Sequence, residues 1–397
     1  MLEMMLGSTP KSEIRIKKAM ISTYAAMALT ETGGLYCRGS VGFLRGVGKT
    51  ETFTDKWYLI DDHVVDYVNS NALGGVIYRR DDGEWWGAGN ISGLGANTLN
   101  CSIKTNLSAN FAALPTDATI VSHVSGSNTS MILMSNGDVY NAGYATNGAL
   151  GIRESTGDIR TFGKLLTGAG TGFPEGVKFK SIAVGINNNT AYFVTTDNYI
   201  YALGAGTNYA MGSNNNNSAN RVAVGLGNGA YTNIYAGANC YYYELQNRML
   251  SGIGNYIYGQ IGGGKYPVNY STGTGLPTSI VTGAGGTTIR VFVLQHRVYV
   301  ENAGQWWFVG GQSGYGLGST TAITRGTPAN ITAGMGGDFT GADIYSCDPS
   351  FFNTVAVKDG TLYGTGYNYG YANALAPLSK DSGNNVFIPL DITGIEI

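Results

Sequence analysis

The sequence predicts an all-β chain folded as a seven-bladed β-propeller. Three observations carry this. A strand–turn–strand unit recurs seven times, each copy ends its second strand on a glycine, and the interval between those glycines suits one four-stranded sheet per repeat. The clearest copy is 132–151, where two apolar runs flank Asn136-Gly137. Asn-Gly is the dipeptide that most readily takes the two positive φ angles of a two-residue hairpin turn, so that turn is expected here. The second run, Val139 to Gly143, leads into a glycine-rich bend at Gly148 and Gly151.

Laid on Gly143, the other anchors are Gly39, Gly89, Gly204, Gly254, Gly310 and Gly366, spaced by 50 to 61 residues. Three positions before the anchor stands an aromatic, Tyr36, Trp86, Tyr140, Tyr201, Trp307 or Tyr363, with Ser251 in the fifth copy. Upstream comes another apolar strand and a turn, as in Met27-Ala28-Leu29 before Thr32-Gly33-Gly34, or Val355-Ala356-Val357 before Asp359-Gly360. A third run lies before that, as in Ile182–Gly185 and Ile234–Gly237. An outer segment marked by Pro174, Pro277, Pro328 or Pro389 completes four strands per blade. At the ends, Phe387–Ile392 reads as the outer strand that opens a repeat, and Ile14–Ile16 and Ala19–Ile21 read as the strands that follow it. One blade is therefore expected to be closed by both termini, which removes the open edge that invites aggregation. Residues 1–11 are expected as an N-terminal tail and 12–397 as the propeller domain.

This repeat resembles that of the RCC1-like family, a family of seven-bladed β-propellers. The residues that carry the resemblance are the apolar strand, the Asn/Asp-Gly turn, the Val/Leu-Tyr-x-x-Gly strand, and the Asn-Gly-x-Leu-Gly bend at 147–151. It extends from about Ser12 to the C-terminus. The resemblance implies the fold and leaves activity open, because the family includes exchange factors, enzyme inhibitors and light sensors. One departure is that Ala88, Ala142 and Val309 stand where family repeats often carry Trp directly before the anchor.

Composition narrows the function. Charged residues are 13%, about half the usual share, while Gly is 61 and Tyr 27 of 397. The net charge of −2 supplies no basic field for nucleic acid. No run approaches the ~20 apolar residues of a membrane span, and Met1–Met5, broken by Glu3, is no signal peptide, so neither membrane insertion nor secretion is expected. Cys37, Cys101, Cys240 and Cys347 lie in different repeats without paired spacing and read as reduced, mostly buried thiols. Gly46–Thr50 and Gly259–Lys265 approximate phosphate loops but lack the following helix, and Tyr266 replaces the hydroxyl residue of the second. Lys11–Lys18 reads as a strand with a solvated charged face. His63, His123 and His296 sit in no metal spacing, Asp61-Asp62-His63 reads as a satisfied turn, and Asp81-Asp82-Gly83 as a hairpin turn. The chain is read as a non-enzyme with no catalytic residues, no metal and no cofactor.

Binding candidates come from exposed rings and loops. Trp86 and Trp307 occupy the aromatic column and are expected between blades. Period-two alternation then turns Trp85 and Trp306 to the other side of the strand, where packing between blades is the first reading and a stacking platform the candidate binding role. In Tyr241-Tyr242-Tyr243 at least one ring must face away from the main packing surface, and Tyr242 is the candidate. Asn100–Asp117 and Ser213–Ser218 read as extended face loops, and Asn214, Asn215, Asn216 and Asn217 join the candidates because polar loops on a rigid scaffold carry recognition. A low-charge interface of this kind would bind with weak salt dependence.

Three functions fit. The first is a virion protein, structural or receptor-binding, of a phage tail. Its partners would be other virion or tail proteins and a host receptor or glycan, with several copies assembled. It rests on composition and on degenerate repeats. The second is a cellular, cytoplasmic RCC1-like docking or exchange factor. The third is a sugar-binding propeller, suggested by the tryptophan pairs.

Overall fold

The computed structural model describes residues 14–21, 25–39, 54–71, 75–91, 100–126, 128–145, 148–151, 157–185, 190–205, 219–229, 231–238, 240–246, 250–255, 269–275, 289–294, 296–311, 318–321, 327–345, 353–367, 383–390, 392 and 395–396. Seven antiparallel sheets follow one another along the chain, six of four strands and one of five. Each begins with an inner strand at the ring axis. In blades 1 to 7 these are Ile16–Ile21, Val64–Asn71, Ile120–Ser125, Phe179–Val184, Tyr231–Ala236, Ile289–Leu294 and Asp343–Tyr345. Because the pairing is antiparallel, the first strands begin, the second strands end and the third strands begin on one face of the ring. This is the turn face. The opposite strand ends, where first and third strands stop and second and fourth strands start, mark the loop face.

The anchor glycines hold the repeat. All seven end or nearly end a third strand with positive φ, from 77° at Gly89 to 142° at Gly310. A Cβ on Gly143 would lie 2.2 Å from Asn128 O, and one on Gly310 would lie 2.4 Å from His296 O. Both the backbone angle and the approach of the second strand therefore require glycine.

The turns differ from the expectation at Asn136-Gly137. Only Gly137 has positive φ, at 79°. Met134 N–H donates to Asp138 O at 2.9 Å and Gly137 N–H to Met134 O at 2.9 Å, which encloses three residues and ends in a glycine bulge. Asn136 Oδ1 accepts the Asp138 N–H at 3.0 Å, so the asparagine closes the turn with its side chain. True two-residue turns occur in blades 6 and 7. There Ala303 (51°) precedes Gly304 (74°), and Asp359 (52°) precedes Gly360 (81°).

The core is divided into wedges. Seven clusters of buried apolar residues each join one blade to the next, the last joining blade 7 to blade 1. In the closing wedge, Ile16, Ile21 and Ala28 of blade 1 pack on Val355, Val357 and Leu362 of blade 7. Ile16 N–H donates to Gly360 O at 2.7 Å across that joint.

Both termini do meet in blade 1, but through other residues than expected. Ile16–Ile21 is a single inner strand, and the chain from Ile16 to Asp61 supplies all four strands of this blade. Phe387 belongs to the outer strand of blade 7, Gly383–Pro389. The C-terminal contribution is Ile395–Glu396, which pairs in parallel with Trp57 and Tyr58 on the outer edge of blade 1. The segment Asn100–Asp117 is also ordered: Asn100–Asn106 is the outer strand of blade 2 and Ser108–Phe111 a 3-10 turn. Leu107 and Phe111 bury their side chains in the wedge between blades 2 and 3, which is why this stretch does not form an open loop. Residues 1–13 and both phosphate-loop-like segments lie outside the described residues.

Candidate functional site

All four rings of the two tryptophan pairs pack between blades, Trp86 and Trp307 as expected and Trp85 and Trp306 in place of the stacking role. Trp85 is 8% exposed, stacked on Phe111 at 3.9 Å between ring centroids and edge-on to His123. Trp306 is 1% exposed, and its indole N–H donates to Phe339 O at 3.1 Å. Neither offers a ring to a ligand. A blade has a neighbour on each side, so alternation along the middle of its third strand turns residues toward the next blade or the previous one. The position before the aromatic column, occupied by Leu35, Trp85, Val139, Ile200, Leu250, Trp306 and Leu362, faces the next blade and is buried throughout. Trp86 is the more accessible ring. Its Nε1 donates to Glu84 at 2.9 Å, and Arg80 and Lys104 lie over its faces. Tyr242 is likewise excluded as a platform, being 1% exposed between blades 5 and 6, while its neighbour Tyr243 is the partly exposed ring of the triplet. Asn214, Asn215, Asn216 and Asn217 lie outside the described residues.

What sequence reasoning missed is where the charge goes. The chain carries few charged groups, but the strand register sends most of the described ones to the turn face. Asp61 is a hub there. It accepts Tyr78 OH at 3.1 Å and Lys104 Nζ at 3.2 Å from blade 2, and the N–H groups of Asp62 and His63. Burial pushes this carboxyl up, but the hydrogen bond and charge of Lys104, with Arg80 and the His63 N–H, hold it below the usual range. His63 Nδ1 lies 3.1 Å from Asp81 Oδ2, and this bond, with the charges of Asp62 and Asp81, raises the imidazole pKa. Asp61-Asp62-His63 is thus the hydrogen-bonded turn that was expected.

Similar ties cross other joints. Lys18 reaches Asp66 at 2.8 Å and Tyr67 O at 2.6 Å, and Lys17 reaches Val65 O at 2.7 Å, all from blade 1 to blade 2. Asp138 of blade 3 binds Lys164 at 2.8 Å and Lys178 of blade 4 at 2.7 Å. Ser181 donates to Asn233 between blades 4 and 5, and Arg290 pairs with Asp343 between blades 6 and 7. Toward the loop face the described charges are chiefly Lys56, Asp158 and Arg160, with Arg38 and Arg297 buried.

The turn face also carries apolar groups in the open. Val121 is 60% exposed at the turn-face end of the blade 3 inner strand. Leu166, 46% exposed, follows the outer strand of that blade, and Tyr199, 36% exposed, begins the third strand of blade 4. All three fall on blades 3 and 4, which also carry Lys164 and Lys178, while the fourth exposed large apolar residue described, Ile103 at 62%, stands on the outer strand of blade 2. Exposed apolar residues grouped beside paired charges are the usual composition of a protein contact surface. At the axis, the seven inner strands enclose a cavity of about 390 Å³.

Among the described residues, no group of three or more His, Cys, Asp or Glu side chains is arranged to hold a metal. Cys37, Cys101 and Cys240 are buried and form no disulfide. No described helix is long and apolar enough to cross a membrane.

With the blades and their closure in view, solved structures supply a comparison. Yeast Prp20p from Saccharomyces cerevisiae, described with its binding to Gsp1p and histones, superposes with a TM-score of 0.69 at 15% identity, covering 96% of this chain and 88% of that one. This chain has the RCC1 propeller fold. Yeast RCC1 (Prp20) bound by Kap60 gives 0.67 at 15% identity, covering 96% of this chain and 86% of that one. Human WBSCR16 gives 0.62 at 13% identity, covering 85% and 86%. No protein-family model and no curated protein matches the chain. At such identities the likeness concerns fold, and function must be argued from this chain's own surface.

Proposed function

We propose that this chain is a non-enzymatic protein-docking propeller that engages a folded partner through the turn face of blades 3 and 4. The observation that carries the proposal is the grouping of Val121, Leu166 and Tyr199, exposed, on the blades that bear Lys164, Lys178 and Asp138. A ring closed by seven apolar wedges holds these side chains in place before contact, so little conformational freedom is lost on binding. The yeast Prp20 structures are described with protein partners, Gsp1p, histones and Kap60, which agrees with this reading. Charge at the surface makes such docking salt-sensitive, in place of the weak dependence expected from composition.

The setting we propose remains the virion, as a phage-tail component meeting other tail proteins or a host receptor. Its support is the low charge and the Gly, Asn, Ser, Thr and Tyr richness of the chain. A cytoplasmic docking factor is the alternative.

Affinity capture from the native source, with mass spectrometry, tests both. The tagged chain should recover a partner that a Leu166→Ser, Lys178→Glu variant loses at least tenfold and a loop-face Lys56→Glu variant keeps. Equal recovery by all three overturns the docking surface. Capsid or tail proteins as the recovered species would support the virion setting, and a small GTPase or other cellular protein would replace it with the cytoplasmic one.

A further inference from the structure

The axial channel is unlike at its two ends. In the turn-face half, the inner strands carry Lys17, Asp66, Lys180, Ser181, Arg290 and Asp343, and the inter-blade ties described above form a polar collar. Beyond the collar the same strands turn apolar. The cavity of about 390 Å³ is lined largely by their central and loop-face residues, among them Met20, Val124, Val184, Ile234, Phe292 and Ile344. This polarity along the axis follows from sequence. Runs such as Lys180-Ser181-Ile182-Ala183-Val184 and Arg290-Val291-Phe292-Val293-Leu294 begin polar at the turn face and end apolar.

Lys18, His123 and Tyr235 on the chamber wall are already engaged. Lys18, the one charged side chain on the wall among the described residues, is held by Asp66 and lies 4.9 Å from the Tyr67 ring centroid. His123 Nε2 is 2.7 Å from Ser130 Oγ, and burial keeps this imidazole neutral at ordinary pH. The Tyr235 hydroxyl donates to Glu244 at 3.2 Å. A charged ligand would lose its hydration here without meeting an unpaired counter-charge. An apolar one would gain by displacing water from Phe292, Val293 and Ile234. The volume falls in the range of small-molecule sites, roughly 300–1,000 Å³. Each inner strand is paired on one edge only, so its free backbone edge offers N–H and C=O groups that could orient a single polar atom.

We infer that the chamber is a binding site for one compact, uncharged, predominantly apolar small molecule. The site is separate from the turn-face docking surface and stands or falls independently of it.

The test is titration of the full chain with N-phenyl-1-naphthylamine, a neutral apolar fluorophore. The expected result is a saturable fluorescence increase at one equivalent, with apparent affinity reduced at least tenfold by Val124→Trp and by Val293→Trp, which plug the chamber from different blades. Ile103→Ser, which removes an exposed apolar group from the outer strand of blade 2, should leave binding unchanged. Circular dichroism shows that each variant compared is folded. A measurement needing no variant runs in parallel: in the methyl-labelled wild-type chain, the bound probe should give intermolecular NOEs to Ile234, Val293 and Leu294. No saturable binding overturns the inference. So does binding that survives both plugs, or NOEs confined to surface methyls such as Val121 and Leu166.

Discussion

Gly143 and Gly83 both hold positive φ, yet they should respond differently to substitution. Gly143→Ala brings a Cβ within 2.2 Å of a backbone oxygen, whereas a Cβ on Gly83 meets nothing within 4 Å. The expected loss is about 3 kcal/mol or more for Gly143→Ala and about 1 kcal/mol for Gly83→Ala, read from urea unfolding. The anchors were legible in sequence because glycine is the residue that satisfies such a position. Trp85 and Trp306 were left open between packing and stacking because alternation locates two sides of a strand without saying that both are covered. Trp306→Ala should accordingly cost about 3–5 kcal/mol, as the loss of a buried ring does, and more than Trp86→Ala, whose ring is only partly buried.

Histidines add a pH signature of definite sign. Burial first, and for His296 also the charge of Arg297, lowers the imidazole pKa of His123 and His296 to about 3. An unfolded histidine titrates near ~6.5. Below that value the unfolded chain takes up the proton first, so their stabilisation is complete above pH ~6.5 and is lost as pH falls toward the folded value. His63 works oppositely: its raised pKa stabilises below the unfolded value, and that contribution disappears as pH rises through the folded one. The urea midpoint should begin to fall below pH ~6.5. His123→Gln should flatten part of that fall, and His63→Gln should leave it in place.

At the scale of elements, four strands per blade and their order could be read from the spacing of turns and anchors. Turn geometry could not. Asn136-Gly137 satisfies a two-residue turn in sequence, but the Asn136 side chain reaches the Asp138 N–H and settles the three-residue form, whereas Ala303-Gly304 takes the shorter turn without the signal dipeptide. The terminal seam was similarly ambiguous, since Phe387–Ile392 and Ile16–Ile21 both carry spaced apolar residues that suit a strand and either could have shared a blade. Because blade 1 draws its four main strands from one continuous stretch, deleting residues 395–397 should remove only the short parallel pairing with Trp57 and Tyr58. The expected cost is about 1–2 kcal/mol, the worth of a few backbone hydrogen bonds, with the ring still folded by circular dichroism. Loss of cooperative unfolding would show instead that the C-terminal strand is essential to closure.

For the whole molecule, the ring was readable because seven copies agree, while its surface was not. The surface depends on which residues the register sends to each face. Lys178 and Asp138 are 40 positions apart and meet only because the blade 3 turn abuts the blade 4 inner strand. Charge was counted over the chain as scarce, and the fold concentrates it on one side. That segregation, with the exposed Val121, Leu166 and Tyr199, is the basis for proposing the turn face as the docking surface. Hydrogen–deuterium exchange of the full chain, free and in complex with its captured partner, tests this most directly. The account predicts slower exchange in the complex at 135–138, 164–166 and 196–199. Protection confined to loop-face segments such as 148–151 and 318–321, with those turns unchanged, would contradict it.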